Sequence, residues 1–365
     1  MAHHGHQRSG GGRRGHHGPG SGSPARRLKR HFRRWLRRRK WVAFAGALAP
    51  LIVVAWGLWM AGNARSQRHY QLLSRHPVDV GSGYRDIVYQ GRSYRYNNRV
   101  TAVLCVGVDS QGALGATAQY TTAPRADSIA LAVLDELNRK TTIIALNRDT
   151  MTGIHRYTLN GRDRGVFTDH LGYAFTYGDG GAASCENLCR AVSDLLGGIP
   201  INDYVVVNLS SLPVLSEAVG PVEVTVPNDD LADLGYAAGQ TVTIDGANVE
   251  QFVRTRDIAE DFSNAGRMER QRAYVNGAMG QFRALLDRNP SELWRRVEQA
   301  EGGVLTSITR SRYLDMARAL LNTTYEDSDY WIPGGEQVAA EDYDEFYPDG
   351  DALRAKVIEV FYMER

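Results

Sequence analysis

Three consecutive stretches decide the fold: "SIALAVLD" at 128–135, "ELNRK" at 136–140 and "TTIIALNRDT" at 141–150. Two runs rich in aliphatic and β-branched residues flank a short polar turn, so they read as antiparallel neighbouring strands. Upstream, "AVLCVGVD" at 102–109 is an unbroken apolar run, read as a central strand ending at Asp109. If it pairs beside 128–135 in the same up-and-down manner, a consequence follows. Asp109 ends the first strand, Asp127 precedes the second, and Arg148 and Asp149 end the third. All four side chains then gather at one sheet edge. A single Arg-Asp pair at a strand tip is ordinary turn chemistry, with the carboxylate bonding a backbone N–H and the guanidinium solvated. Three charged tips at one edge form a constellation.

Further along, "DYVVVNL" at 203–209 reads as another buried strand. "SCENLCRAVSDLLGG" reads as a helix, with Ser184 as a weak cap and Gly197-Gly198 as the stop. "SSLPVLSEAVGPVEVTVP" gives a short helix, a Gly-Pro turn and a strand. "IDGANVEQFVRTRD" starts a helix at Gly246 and exposes Arg254 and Arg256. A long helix follows over "RMERQRAYVNGAMGQFRALLDR", then amphipathic helices near 291–301 and 311–322, then "YWIPGG" and a final helix in "DGDALRAKVIEVFY". Helices and strands intersperse with no repeat period, so residues 99–365 read as one α/β domain.

Charge divides the chain. It holds 43 Lys and Arg against 41 Asp and Glu, a net charge of +2. Residues 1–65 carry fourteen of the basic residues and no acid; residues 66–365 keep 29 basic and 41 acidic side chains. A very basic head precedes an acidic body. Between them "WVAFAGALAPLIVVAWGLWMAG", Trp41–Gly62, carries no charge. A membrane helix needs about 20 apolar residues, and tryptophans lie toward both ends of this run. The adjoining basic block is expected to stay cytoplasmic, which puts the body outside. A cleaved signal peptide fits less well, because the apolar run is long for one. The expected layout is a disordered basic cytoplasmic tail over 1–40, a transmembrane helix over 41–62, an extracytoplasmic stalk over 63–98, and the folded domain. The tail, rich in Gly, His, Arg and Ser, has too few apolar residues to fold, and its place beside the span suits anionic lipid heads.

Of three cysteines, Cys105 reads as a small core residue. Cys185 and Cys189 stand four apart; a disulfide between them is possible outside the membrane but geometrically awkward. No Cys/His spacing matches a zinc site.

Within the acidic body "FVRTRD" and "GRMERQR" place Arg254, Arg256, Arg267, Arg270 and Gln271 within eighteen residues. Positions 267, 270 and 271 share a helix face. Guanidinium forks bind phosphate oxygens bidentately, and a helix start at Gly266 would add N–H donors. A salt-bridge network with Asp257, Glu260, Asp261 and Glu269 is the alternative.

Six motifs in order, "RADSIALAVLD", "TIIALNRDT", "LGYAFTYGDGG", "DYVVVNL", "AVGPVEVTV" and "FVRTRD…GRMERQR", resemble the LytR-CpsA-Psr family of cell-wall glycopolymer ligases. The likeness is strong over about residues 100–280 and looser beyond; a basic head with one span is also that family's layout. The resemblance implies an α/β/α fold with a mixed central sheet flanked by helices. It implies a polyprenyl-pyrophosphate lipid in an arginine-lined pocket, Mg²⁺ held by aspartates, and transfer of a phospho-glycopolymer to peptidoglycan. Asp109 and Asp127 match the metal-linked aspartates, and Arg125 the basic residue near the second. Arg148 and Asp149 match the Arg-Asp signature, implied to bridge the phosphates and to orient an arginine or accept a proton. Arg254, Arg256, Arg267 and Gln271 match the pyrophosphate-binding groups. Two departures stand out: Gln111 where Arg is common, and "SNAG" where an acid usually precedes "GR", with Asn264 or Asp261 as substitutes.

A hydrolase of the same lipid would use the same residues. A membrane-bound transcriptional regulator would need a DNA-reading tail, yet residues 1–40 show no helix-turn-helix pattern, so no specific nucleic-acid partner is expected. A structural wall-binding module would not need the aspartate-arginine edge.

Overall fold

The computed structural model describes residues 86–365 apart from 118, 257–261, 301, 341 and 342. The basic tail and the Trp41–Gly62 run lie outside the described residues. Among the described residues no helix is long and apolar enough to cross a membrane.

In chain order the strands and helices begin with β1 (Asp86–Tyr89), β2 (Arg92–Tyr96), β3 (Val100–Val108), β4 (Ala126–Asp135) and β5 (Lys140–Leu146). Next come β6 (Met151–Tyr157), β7 (Asp163–His170), the one-turn α1 (Tyr173–Thr176), α2 (Ala182–Leu195) and β8 (Asp203–Asn208). Then follow α3 (Leu212–Val219), β9 (Val222–Thr225), β10 (Thr241–Ile244), α4 (Val249–Arg254), the long α5 (Asn264–Arg288) and α6 (Pro290–Gln299). The chain closes with β11 (Val304–Thr306), α7 (Arg310–Leu321), β12 (Tyr330–Trp331), β13 (Gly335–Ala339), β14 (Asp344–Pro348), α8 (Gly350–Phe361) and β15 (Tyr362–Glu364).

The central sheet has strand order β11-β8-β3-β4-β5-β12. β3, β4 and β5 are antiparallel neighbours; the short turn between β4 and β5 imposes this for that pair, while β3 and β4 pair across the 109–125 loop. The turn between β4 and β5 is held by Asp135, whose Oδ1 accepts the N–H groups of Leu137 and Asn138 at 2.9 and 3.0 Å. β8 joins β3 in parallel and β12 joins β5 in parallel, so the sheet is mixed.

Its two faces differ in side-chain size. Leu104, Val106, Ile129, Leu131, Ile144 and Leu146 point to one side and pack on Leu188, Val192 and Leu195 of α2 and Leu353, Ile358 and Phe361 of α8. Burying each such side chain contributes about 1.5–3 kcal/mol, so this layer anchors the fold. The opposite face takes α5 and α7. There Leu134 meets Leu286, Ala317 and Leu320, and Ile143 and Ala145 meet Met268. Helices thus cover both faces of a mixed sheet.

Four features depart from the sequence reading or add to it. The described part of the stretch read as a stalk carries β1 and β2, and β2 pairs with the final strand β15. Ser184 does not cap its helix. The helix starts at Ala182, and the buried Ser184 hydroxyl donates to Phe175 O at 2.6 Å while accepting Gly180 N–H at 2.8 Å. β6 and β7 form an antiparallel ribbon, and β13 and β14 a second one. Cys185 and Cys189 are both free thiols.

Candidate active site

The C-terminal end of β5 sets the site. "NRDT" turns on Asn147, whose Oδ1 accepts Asp149 N–H at 2.9 Å and whose carbonyl accepts the Thr150 hydroxyl at 2.7 Å. Backbone from two other segments fixes the next residues: Gly172 N–H donates to Arg148 O, and Phe346 N–H to Asp149 O, both at 2.9 Å. The turn chemistry therefore belongs to Asn147 and Thr150, and the two charged side chains are left for another use. Arg148 and Asp149 are 9% and 6% exposed, so the solvated-turn alternative fails.

Asp127 arrives by a different device. In the β3–β4 register Gly107 faces Ser128 and Val108 faces Ala126, so Asp127 is the unpaired residue of a β-bulge. A bulge re-aims a side chain beside a site. Here Asp127 Oδ1 accepts from Arg148 Nη1, its carbonyl accepts Arg267 Nη2 at 2.7 Å, and its Oδ2 lies 3.9 Å from Arg267 Nη1. Arg125 donates to Asp149 Oδ1 at 2.6 Å and lies over the Tyr173 ring, 4.5 Å from its centroid. Arg148 Nε is 3.5 Å from the same carboxylate oxygen. At the outer rim Arg254 pairs with Asp109 at 2.9 Å. Gln271 accepts the Ser128 hydroxyl at 3.2 Å and donates to Val253 O at 3.1 Å. Arg256 donates to Ser263 at 2.7 Å.

The expected edge forms around three of its four tip residues. Asp127, Arg148, Asp149, Arg125 and Arg267 form one connected group, with Gln271 against Ser128 beside it. Asp109 and Arg254 form a separate, half-exposed pair at its border. Asn264 is buried and donates to Asn147 Oδ1 at 2.7 Å while accepting Arg267 Nη2 at 2.6 Å, so it orients that arginine. Asp261 lies outside the described residues.

Arg270 is turned away from this group. Fully buried, it donates to Phe252 O and Asn228 Oδ1 at 3.1 Å and pairs with Asp230 at 2.5 Å. Asp230 also sits against Gly266, where a Cβ would fall 2.0 Å from its Oδ2. The turn of α5 expected to face phosphate thus packs on this chain's own carboxylate.

Positive charge is crowded here. Burial, then the charge of Arg148, pushes Arg267 down to about 10. Burial and Arg148 lower Arg256 as well. The Nε groups of Arg125, Arg148 and Arg267 are buried with no hydrogen-bond acceptor among the described residues. Dehydrated guanidinium groups short of acceptors make an anion site.

Behind this edge lies a cavity of about 440 Å³, within the size range of ligand pockets. Asp109, Asp127, Arg254, Arg267 and Gln271 line one part of it; the rest is mostly apolar and includes Cys105, Ala130, Ala132, Val205 and Val253. Cys105 is consequently not a core residue. Its surface is accessible from the cavity, yet protein surrounds it, and burial pushes its thiol up to about 11. The cavity follows from the alternation of β3 and β4: Cys105, Gly107, Ser128, Ala130 and Ala132 are the small residues between the large ones of the opposite face. That alternation was the one signal in the sequence that could have revealed it.

Two carboxylates of this edge, Asp109 and Asp127, are hard oxygen donors of the kind Mg²⁺ takes, alongside water and phosphate oxygens. Among the described residues no group of three or more His, Cys, Asp or Glu is arranged to hold a metal ion by itself.

The sequence profile of the LytR_cpsA_psr family matches residues 60–343. The chain is 30% identical over 185 residues to the polyisoprenyl-teichoic acid–peptidoglycan teichoic acid transferase TagU of Enterococcus faecalis, covering 50% of this chain and 53% of that protein. It thus spans about half the length of that relative. It is 25% identical over 247 residues to the TagU transferase of Bacillus cereus, covering 66% of this chain and 71% of the relative. The crystal structure of Bacillus subtilis TagV shares the fold, with a TM-score of 0.52 at 19% identity over 72% of this chain and 96% of that one. With a profile match over most of its length and six family motifs in order along the sequence, the chain belongs to the LytR-CpsA-Psr family.

Proposed function

We propose that this protein transfers a phospho-glycopolymer of the teichoic acid class from a polyprenyl-pyrophosphate carrier to peptidoglycan, releasing polyprenyl phosphate. The observation that carries the reading is an apolar cavity opening onto an edge of dehydrated arginines and aspartates. A long prenyl tail needs the first, and a pyrophosphate the second. The names of the teichoic acid transferases it is similar to support the polymer class.

Phosphoryl transfer is governed by positioning and by neutralising the transferring group. The tail lies along the small-residue face of β3 and β4. Arg254, Arg267 and Gln271 hold the phosphate nearer the lipid; Arg125, Arg148 and Arg256 hold the one bearing the polymer. Their present carboxylate contacts exchange for phosphate oxygens as the ligand enters. Asp149 Oδ1 is taken by arginines, but no hydrogen bond to its Oδ2 is present among the described residues. That oxygen accepts the proton of the acceptor hydroxyl. The hydroxyl oxygen bonds to phosphorus, the bond to the bridging oxygen breaks, and polyprenyl phosphate leaves with the electron pair. Asp109 and Asp127 would hold Mg²⁺, which when bound spreads the phosphate charge. Trp41–Gly62 anchors the chain in the membrane with the basic tail on the cytoplasmic side against anionic lipid, and the α/β domain works outside the membrane.

The test is product analysis with full-length protein and a labelled polyprenyl-pyrophosphate oligosaccharide. Label covalently joined to peptidoglycan supports transfer. Label released only to water means a hydrolase, and failure to bind the lipid at all sinks the reading.

A further inference from the structure

We propose that the face beyond Arg125 is the docking subsite for the acceptor, a glycan strand of peptidoglycan, read as a stacking platform for pyranose rings. The inference rests on the transfer reading above. Attacking and leaving oxygens lie roughly in line at phosphorus. The apolar cavity places the leaving polyprenyl phosphate on the Asp127 and Arg267 side, so the acceptor enters from the opposite side. Neither Arg125 nor Asp149 lines the cavity. From Asp149, contacts run outward through Arg125 to the ring of Tyr173.

Around Tyr173 the surface is aromatic. Tyr343 lies 6.4 Å away, edge-on at 77°, and is 55% exposed. Tyr177 lies 6.0 Å from Tyr173. Arg156 covers Tyr177 at 5.0 Å and the exposed Phe167 at 5.2 Å. The platform is braced from below. Asp169 accepts from Arg156 and, at 2.8 Å, from the Tyr177 hydroxyl. Burial alone would raise Asp169, but hydrogen bonds from His170, Arg156 and Tyr177 outweigh it and hold the carboxyl below its usual range. It therefore stays charged as a fixed brace. Exposed ring faces carry a negative quadrupole that attracts the C–H faces of pyranose rings. Rings fixed by a buried network lose little freedom when they bind.

The experiment uses full-length protein in detergent and two separate titrations: lipid-free, uncross-linked peptidoglycan glycan chains, and a polyprenyl pyrophosphate analogue alone. Tyr343→Ala is expected to weaken glycan binding about tenfold, and Phe167→Ala somewhat less. Tyr343→Trp keeps it within about twofold, and lipid affinity is unchanged in all three. In turnover, KM for the acceptor rises while kcat holds. Unchanged glycan affinity in the alanine variants, or no glycan binding by the parent protein, overturns the subsite. So does a loss that appears in affinity for the lipid-linked donor, or in binding to anionic vesicles, instead of in glycan binding. Glycan bound at Tyr343 by a protein that transfers nothing would sink the transfer reading and leave the subsite standing.

Discussion

Ala132→Leu separates a lipid tunnel from a packing defect. Ala132 lies on β4 among the small residues lining the cavity, paired with Val103 on β3 and Ile143 on β5. It is five residues from Asp127, about 16 Å along the strand at roughly 3.3 Å per residue, so the substitution plugs the deep end and leaves the charged mouth intact. Leucine adds three carbons to space that is otherwise empty. At about 0.8 kcal/mol per buried methylene that contributes roughly 2.4 kcal/mol, less about 0.5–1 kcal/mol of rotamer entropy. The net gain is about 1.5 kcal/mol, and for a domain of this size Tm should rise by about 3–6 °C. Transfer should fall, and steeply with tail length: a donor with a full-length prenyl chain should lose at least tenfold in kcat/KM, and one with a short prenyl chain much less. The assay is turnover with a series of donors differing only in chain length, beside a thermal melt. A variant that melts higher yet transfers the longest donor like the parent protein would refute the tunnel. The cavity would then be a void with no occupant.

Three other outcomes are expected. Arg148→Lys keeps the charge but loses the planar fork, so turnover should drop about 10²–10³-fold with Tm nearly unchanged, as measured by donor transfer and a melt. Gly172→Ala places a Cβ 2.6 Å from Ala126 O and 3.0 Å from Arg125 Nε; it should cost about 1–3 kcal/mol in denaturant melts and shift Arg125 off Tyr173, lowering activity. Asp109→Asn should raise the Mg²⁺ concentration needed for half-maximal transfer by about tenfold or more, and a chelator should abolish transfer by the parent protein; transfer unaffected by chelation would remove the metal from the mechanism.

The central hairpin was legible because two aliphatic and β-branched runs flank a short polar connection, which admits an antiparallel pairing. Gathering of charged tips followed from that pairing alone. What the sequence did not declare is how Asp127 reaches Arg148. A bulge shifts one residue out of register, and nothing in "PRADSIAL" marks where. The β6–β7 ribbon does carry a local mark, Asn160-Gly161 between two extended runs, a strong turn signal. Ser184 misled for a local reason: a serine near a helix start resembles a cap, but its hydroxyl is satisfied by Phe175 O inside the core. Pairing of β2 with β15 joins residues at opposite ends of the described chain, and no local pattern announces such a contact.

Composition also counts arginines without sorting them, and Arg267 and Arg270 show what sorts them. They stand three apart on α5, close enough in sequence to be grouped as one phosphate-binding face. Both are buried, and burial lowers both. The difference lies in what surrounds each. Arg270 has Asp230 beside it and two backbone carbonyls, so its charge and its donors are answered within the protein. Arg267 shares Asp127 with Arg148 and keeps a buried Nε without an acceptor among the described residues. One carboxylate between two guanidinium groups leaves net positive charge in a dehydrated place, which costs free energy until an anion arrives. With Asp149 held between Arg125 and the same Arg148, three guanidinium groups share two carboxylates and one positive charge is left over. A guanidinium matched by its own carboxylate holds the fold together, whereas one that must share is held ready for a ligand. By that criterion Arg125, Arg148 and Arg267 form the core of the proposed phosphate site, with Arg254, Arg256 and Gln271 around it, and Arg270 is the strut that keeps α4 and the 228–230 segment against α5.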